Sequence, residues 1–210
     1  MSGRLPTSLV VALAVIAGLG GASAARAATI VSINANFVGT VYDSGTGKLT
    51  VLDNADIVVE YDDATQATYA AGLFNLAADR VLDFSAGGLA MADFGNGTLS
   101  ILDSGGNPLF AATGLTLTLT EVTDGGGLLA GAGQFTVTGG TLAPAFGAFP
   151  GDIVQITFRL NPKDISSFIT SPGFTGFTGL SNISLTPTPE PATLGLMTLG
   201  LSLFLVRRRK

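Results

Sequence analysis

Residues 45–53 read GTGKLTVLD, residues 95–103 repeat the pattern as GNGTLSILD, and residues 131–138, GAGQFTVT, form a looser third copy. In each copy apolar residues alternate with Thr or Ser, so successive side chains point to opposite faces of a β-strand. The side chains expected on an inner face are Leu49, Val51, Leu99, Ile101, Phe135 and Val137, and those expected outside are Thr50, Ser100 and Thr136. The pattern predicts a reused hairpin rather than a solenoid, because the copies are unevenly spaced.

The same alternation continues through residues 28–186 between turns rich in Asp and Gly, such as residues 43–47, 103–107 and 124–127. The candidate strands are Ile30–Tyr42, Lys48–Leu52, Asp56–Tyr61, Ala67–Leu76, Leu89–Phe94, Thr98–Leu102, Leu115–Val122, Gln134–Thr138, Ile153–Leu160 and Asn182–Leu185. We therefore predict an all-β domain, a sandwich or barrel of about ten short antiparallel strands. A small helix near Pro162–Phe168 is the one helical candidate within it.

The amino-acid composition excludes several kinds of catalysis and binding. None of the 210 residues is Cys, His or Trp, which excludes disulfides, thiol nucleophiles and mechanisms based on an imidazole. Between Ala28 and Pro189 only four basic residues face 14 acidic ones, so this region carries a net charge of −10. Because nucleic acids are bound through clustered Lys and Arg, we expect no nucleic-acid partner.

The amino terminus has the three parts of a secretory signal peptide: a basic start at Arg4, the 13-residue apolar run Leu9–Gly21, and small residues up to Ala28. Such a run spans about 20 Å as a helix, less than the roughly 30 Å of a hydrocarbon core. Ala25 and Ala27 form an A-x-A cleavage site, and Ala22 and Ala24 form a second, less favoured one. We therefore predict that residues 1–27 are the signal peptide.

The carboxyl terminus has a different order of parts. The prolines of residues 187–191 favour an extended, accessible segment that contains Pro189, Glu190 and Pro191. A 15-residue apolar run, Ala192–Val206, then predicts a short transmembrane helix of about 23 Å. The basic cluster at the end is Arg207, Arg208, Arg209 and Lys210. Positive residues stay in the cytoplasm, so everything before Pro191 is expected outside the inner membrane.

Residues 187–210 resemble the PEP-CTERM sorting signal of exported proteins of Gram-negative bacteria. The resemblance implies that exosortase, an integral membrane protease, recognises Pro189-Glu190-Pro191 and removes or exchanges the tail, in organisms that make exopolysaccharide. The preceding region is similar to domains of unassigned function that often accompany such tails, through Phe135–Gly140 and Asn182–Leu185. This second resemblance implies no catalytic residues.

Several kinds of chemistry stay open for the exported domain, residues 28–186. A glycosidase needs two carboxylates, but Asp62 and Asp63 are neighbours that point to opposite faces of a strand. Calcium ligands could come from residues 53–56 with Asp62 and Asp63, or from Asp103 with Asn107. The Thr rows at residues 116–120 and 136–138 have the spacing of an ice-binding face, although β propensity also explains outward Thr.

From these observations we expect an exported, cell-surface or matrix protein with a structural or adhesive role. We expect no enzymatic activity, no catalytic residue, no metal site and no cofactor. The alternative is a secreted carbohydrate-binding or carbohydrate-active protein. Sugar-binding modules usually present exposed Trp or Tyr, and this domain offers only Tyr42, Tyr61 and Tyr69, which favours the structural role.

Overall fold

The computed structural model describes residues 28–86, 89–122, 128–162, 169–170 and 173–188, which form ten β-strands. The strands are β1 (Ile30–Asp43), β2 (Lys48–Tyr61), β3 (Gln66–Asp83), β4 (Met91–Leu102), β5 (Pro108–Glu121), β6 (Leu129–Gly139), β7 (Ile153–Pro162), β8 (Ile169–Thr170), β9 (Gly173–Phe174) and β10 (Phe177–Pro187). The prediction of an all-β domain is confirmed. Of the expected helix near residues 162–168, Pro162 ends β7 and the rest lies outside the described residues.

Most strands are longer than predicted, and β2, β3 and β4 continue through β-bulges that resemble strand ends in the sequence. The candidates Lys48–Leu52 and Asp56–Tyr61 are one strand, β2, whose pairing with β3 shifts between Ala55 and Ile57. Likewise, β4 continues through Asn96, which has a φ of 53°. A bulge adds one residue, so the alternation slips by one position while the strand goes on.

Eight of the strands close into an antiparallel barrel in the order β1-β10-β7-β6-β5-β4-β3-β2, and β8 pairs with β9 in a separate two-stranded sheet. The barrel alternative is therefore confirmed over the sandwich. The closing seam joins β1 to β10, with Ile33 opposite Leu185 and Tyr42 opposite Phe177. Neighbouring strands run in opposite directions, so the start of β1 and the end of β10 lie at the same end of the barrel.

We call this end the terminal pole; it also carries residues 62–65, 103–107 and 140–152. The opposite end, the far pole, carries residues 44–47, 84–86 and 89–90.

Inward side chains fill the barrel. The six predicted inner residues of the repeated motif are each at most 2% exposed, which confirms their inward orientation, while Thr50, Ser100 and Thr136 are half-buried. The largest fully buried side chains are Tyr42, Phe74, Phe94, Phe110, Phe135, Phe146 and Phe158. An eight-stranded barrel is just wide enough for side chains to fill its interior.

Two inward positions on β6 have no side chain. A Cβ on Gly133 would collide with the Thr116 carbonyl oxygen and come within 2.8 Å of Leu117 Cα, and one on Gly131 would collide with Leu119. The neighbouring Ala132 and Gln134 are exposed on the outer wall. Strand β6 therefore approaches β5 so closely that only glycine fits on its inner side.

Residues 140–152 close the terminal pole. Leu142, Ala143, Phe146 and Ala148 are buried, and the Phe146 ring meets Phe110 edge-on with centroids 5.6 Å apart. The backbone N–H of Ile30 donates to the Ala145 carbonyl oxygen at 2.8 Å. This plug segment ties the start of β1 to the barrel core.

Candidate functional site

The signal and sorting residues predicted from the sequence lie outside the described residues. These are Ala25 and Ala27, Pro189, Glu190 and Pro191, and Arg207, Arg208, Arg209 and Lys210. The Ala192–Val206 run lies there too, and among the residues described no helix is long and apolar enough to span a membrane. The last described residue, Thr188, directly follows β10 at the terminal pole.

Acidic residues at the turns accept hydrogen bonds from backbone N–H groups of the same turn. Asp103 Oδ1 accepts hydrogen bonds from the N–H groups of Gly105 and Asn107 at 2.9 and 2.8 Å, and the Asn107 amide also donates to it. Hydrogen bonds from Asn107 hold the pKa of Asp103 below its usual range. Asp103 is therefore a turn-forming acid, as its position after a strand predicts.

Asp43 and Asp63 act in the same way. Thr46 and Gly45 donate to Asp43, and both the hydroxyl and the N–H of Thr65 donate to Asp63 Oδ1. These hydrogen bonds, the side-chain ones foremost, lower the pKa of both carboxyls.

We expect these three carboxylates to make the barrel sensitive to acid. Their pKa values are lower in the folded chain, so their stabilising effect is fully present above about pH 4 and is lost as the pH falls through the folded values. The melting temperature, measured by circular dichroism, should thus decrease when the pH is lowered from about 4. In a variant carrying Asp43→Asn, Asp63→Asn and Asp103→Asn, the melting temperature should decrease less between pH 4 and pH 2. An equally steep decrease in both proteins would contradict this role.

The other acids considered as calcium ligands brace irregular backbone. Asp53 Oδ2 accepts from the Gly39 N–H at 2.8 Å, Asp56 Oδ1 from the Ala71 N–H at 3.2 Å, and Asp62 Oδ1 from the Thr29 N–H at 3.0 Å. In the part of the chain that the structure describes, no three acidic side chains group as metal ligands would.

The tyrosines considered as sugar platforms are not exposed. Tyr42 is 2% exposed, with Phe94 edge-on at 5.5 Å and the Arg80 guanidinium 6.0 Å from its ring centroid. Burial raises the pKa of Tyr42, and the nearby Arg80 opposes that shift. Tyr61 and Tyr69 are half-buried against the core. All three tyrosines thus serve packing.

The Thr row of β5 lies where the alternation predicts. Thr116 and Thr118 are exposed on the outer wall, and Thr118 Oγ1 donates to Asp93 Oδ1 at 2.6 Å. With Gln134 and Gln155 they line a shallow groove of about 560 Å³. A closed barrel curves and twists, whereas an ice-binding surface must be flat, so the fold does not favour ice binding.

Phe37 is an exposed aromatic side chain that the sequence did not single out. It is 70% exposed and lies in a bulge of β1, with a φ of 57°. Its N–H donates to Asn182 Oδ1 on β10 at 3.0 Å, while Asp53 binds Gly39 on the other side of the bulge. A left-handed backbone at a residue other than glycine costs about 1–3 kcal/mol, and such strain is often found at functional sites.

Phe37 stands beside a groove of about 630 Å³ on the outer wall of β7, β10 and β1. We call it the Phe37 groove; its lining residues are Phe37, Leu128, Arg159, Asn161, Thr178, Gly179, Leu180 and Asn182. Register places Asn182 opposite Arg159 and Leu180 opposite Asn161. The groove thus combines an aromatic ring and apolar floor with amide and guanidinium groups.

Comparison with known families assigns the tail. A carboxyl-terminal sorting signal marks the chain as an exported protein processed at the membrane. Specifically, residues 187–210 match the PEP-CTERM protein-sorting motif, which confirms the resemblance seen in the sequence. The motif implies transient anchoring in the membrane before processing by exosortase. Comparisons with curated proteins and with solved structures found no match.

Proposed function

We propose that the chain is a structural or adhesive protein of the cell surface or extracellular matrix, without enzymatic activity, delivered through its tail. The observation that carries the proposal is the sorting motif at residues 187–210, which begins at Pro187, the last residue of β10. The barrel is thus the cargo of the sorting pathway, and exopolysaccharide is the partner that we propose for it.

The way in which the barrel uses its polar groups supports a role without catalysis. The carboxylates of Asp43, Asp53, Asp56, Asp62, Asp63 and Asp103 accept hydrogen bonds from backbone N–H groups at turns and bulges. Acids occupied in this way stabilise loops rather than transfer protons to a substrate. The outer wall and the poles are left as the surfaces that can meet a partner.

The second candidate function is carbohydrate binding without hydrolysis. The Phe37 groove favours it, because an exposed aromatic ring flanked by amides is the combination that sugar rings require.

Glu190→Ala tests the proposal in the native host. In wild type we expect most mature protein to lack Leu194–Lys210, because the short apolar run is a poor permanent anchor. The variant should keep its basic tail and accumulate in the inner membrane, since Glu190 is the charged group between the two prolines that a protease could read. Intact-mass measurement of membrane and surface fractions distinguishes the two forms.

Thr188→Ala, at the residue before Pro189-Glu190-Pro191, is the matched control and should be processed like wild type. A deletion strain should attach less to surfaces, and wild type but not Glu190→Ala should restore attachment. Retention of Arg207–Lys210 in wild type and variant alike would refute sorting. Attachment that does not change on deletion would refute the adhesive role alone.

A further inference from the structure

We propose that the Phe37 groove binds a chain of an acidic polysaccharide, through a ring-stacking contact on Phe37 and a carboxylate contact on Arg159. The inference rests on the proposed function in one respect: the barrel must reach the cell exterior, where such polymers occur.

The shape of the groove suits a sugar ring. Phe37 presents a ring of which 70% is exposed, and Leu180, 50% exposed, adds apolar surface beside it. A pyranose has an apolar face of C–H groups and a rim of hydroxyls, so it packs one face on an aromatic ring and directs its rim to polar groups. Asn161, Thr178 and Asn182 line the groove and supply such groups.

A residue of the groove fixes the backbone at Phe37 through a hydrogen bond. Asn182 lines the groove and also accepts the Phe37 N–H, so the same amide fixes the bulge and faces the ligand. Phenylalanine rarely adopts the positive φ observed at this position, whereas asparagine and glycine adopt it more readily. The combination of an exposed aromatic ring and a strained backbone points to a role in binding.

The charge of the groove favours an acidic ligand. None of the described residues that line it is a carboxylate, although the exported domain has a net charge of −10. Two of the other basic residues form ion pairs: Lys48 Nζ lies 3.7 Å from Asp79 Oδ1, and Arg80 Nη1 lies 3.2 Å from Asp83 Oδ2. Arg159, by contrast, forms no ion pair with any residue that the structure describes.

A guanidinium binds a carboxylate through two parallel hydrogen bonds, which suits a uronic acid. Acids that lie more than about 8 Å from a bound ligand act weakly on it, because salt screens their charges at physiological ionic strength.

The test uses the mature protein purified from its host, with alginate as the acidic probe and dextran as the neutral one, in affinity electrophoresis. We expect retardation by alginate and at least fivefold less by dextran. Phe37→Asn should weaken alginate binding at least tenfold while keeping or raising the melting temperature, since asparagine tolerates the positive φ. Arg159→Gln should weaken alginate binding at least fivefold and leave dextran unaffected. Phe149→Asn, which changes another exposed phenylalanine at the terminal pole, should bind like wild type.

Three results would overturn the proposal. The first is no retardation of wild type by alginate. The second is equal retardation by both polymers that Arg159→Gln leaves unchanged. The third is that Phe37→Asn dissociates an oligomer seen by light scattering without altering alginate binding, which would make the groove a contact between copies of this chain. None of these results would affect tail processing, so failure here is distinct from failure of the sorting proposal.

Discussion

Gly133→Ala is expected to destabilise the barrel by about 3 kcal/mol or more, because the added methyl group has no space on the inner side of β6. The new Cβ would collide with backbone, the Thr116 carbonyl oxygen and Leu117 Cα, rather than with a side chain that can change rotamer. Relief would require β5 and β6 to separate, and in a closed barrel such a movement propagates to the neighbouring strands. Urea unfolding followed by circular dichroism measures the loss.

The matched control is Gln134→Ala, on the next residue of the same strand but on the outer wall. This change should alter the free energy of unfolding by less than about 0.5 kcal/mol. If the two variants were equally stable, the close approach of β5 and β6 would be wrong.

Phe146→Ala should cost about 3–5 kcal/mol, the usual range for a fully buried phenylalanine. Phe146 is 0% exposed and packs edge-on against Phe110, so its loss leaves a cavity beneath the plug segment. Because that segment also accepts the Ile30 N–H, its loosening would free the start of β1. Hydrogen exchange at Ile30 should then accelerate along with the loss of global stability.

Phe149→Ala serves as the control within the same segment. Phe149 is 61% exposed, so its truncation should change stability by less than about 0.5 kcal/mol. Equal losses for both phenylalanines would show that residues 140–152 do not close the pole as described.

Alternation in the sequence predicted the local structure well, because period two directly reports which side of a strand is buried. Leu49, Val51 and their counterparts in the other copies all face the core. The predicted strands were too short at the bulges of β2 and β4, since a slip of one residue resembles a strand end. At Asn96 the chain keeps its direction although the pattern is interrupted. The bulge at Phe37 lies within a strand whose length was predicted correctly to within one residue.

Closure and the groove depended on contacts that no local pattern contains. The seam pairs Ile33 with Leu185, about 150 positions along the chain, and one strand cannot reveal its distant neighbour. Phe37 resembles any apolar residue of β1 until the bulge turns it outward. Arg159 and Asn182, which line the same groove, come from two other strands.

The described part of the barrel begins and ends at the same pole, which gives the barrel a direction. Thr29 and Thr188 both lie at the terminal pole, so the far pole lies at the end opposite to the residue from which the sorting tail continues. Strand β1 has 14 residues, and with the usual tilt of barrel strands the turn at residues 44–47 lies about 35 Å from the terminal pole. Many copies attached through the tail would present their outer walls to one another and to any polymer that lies between them.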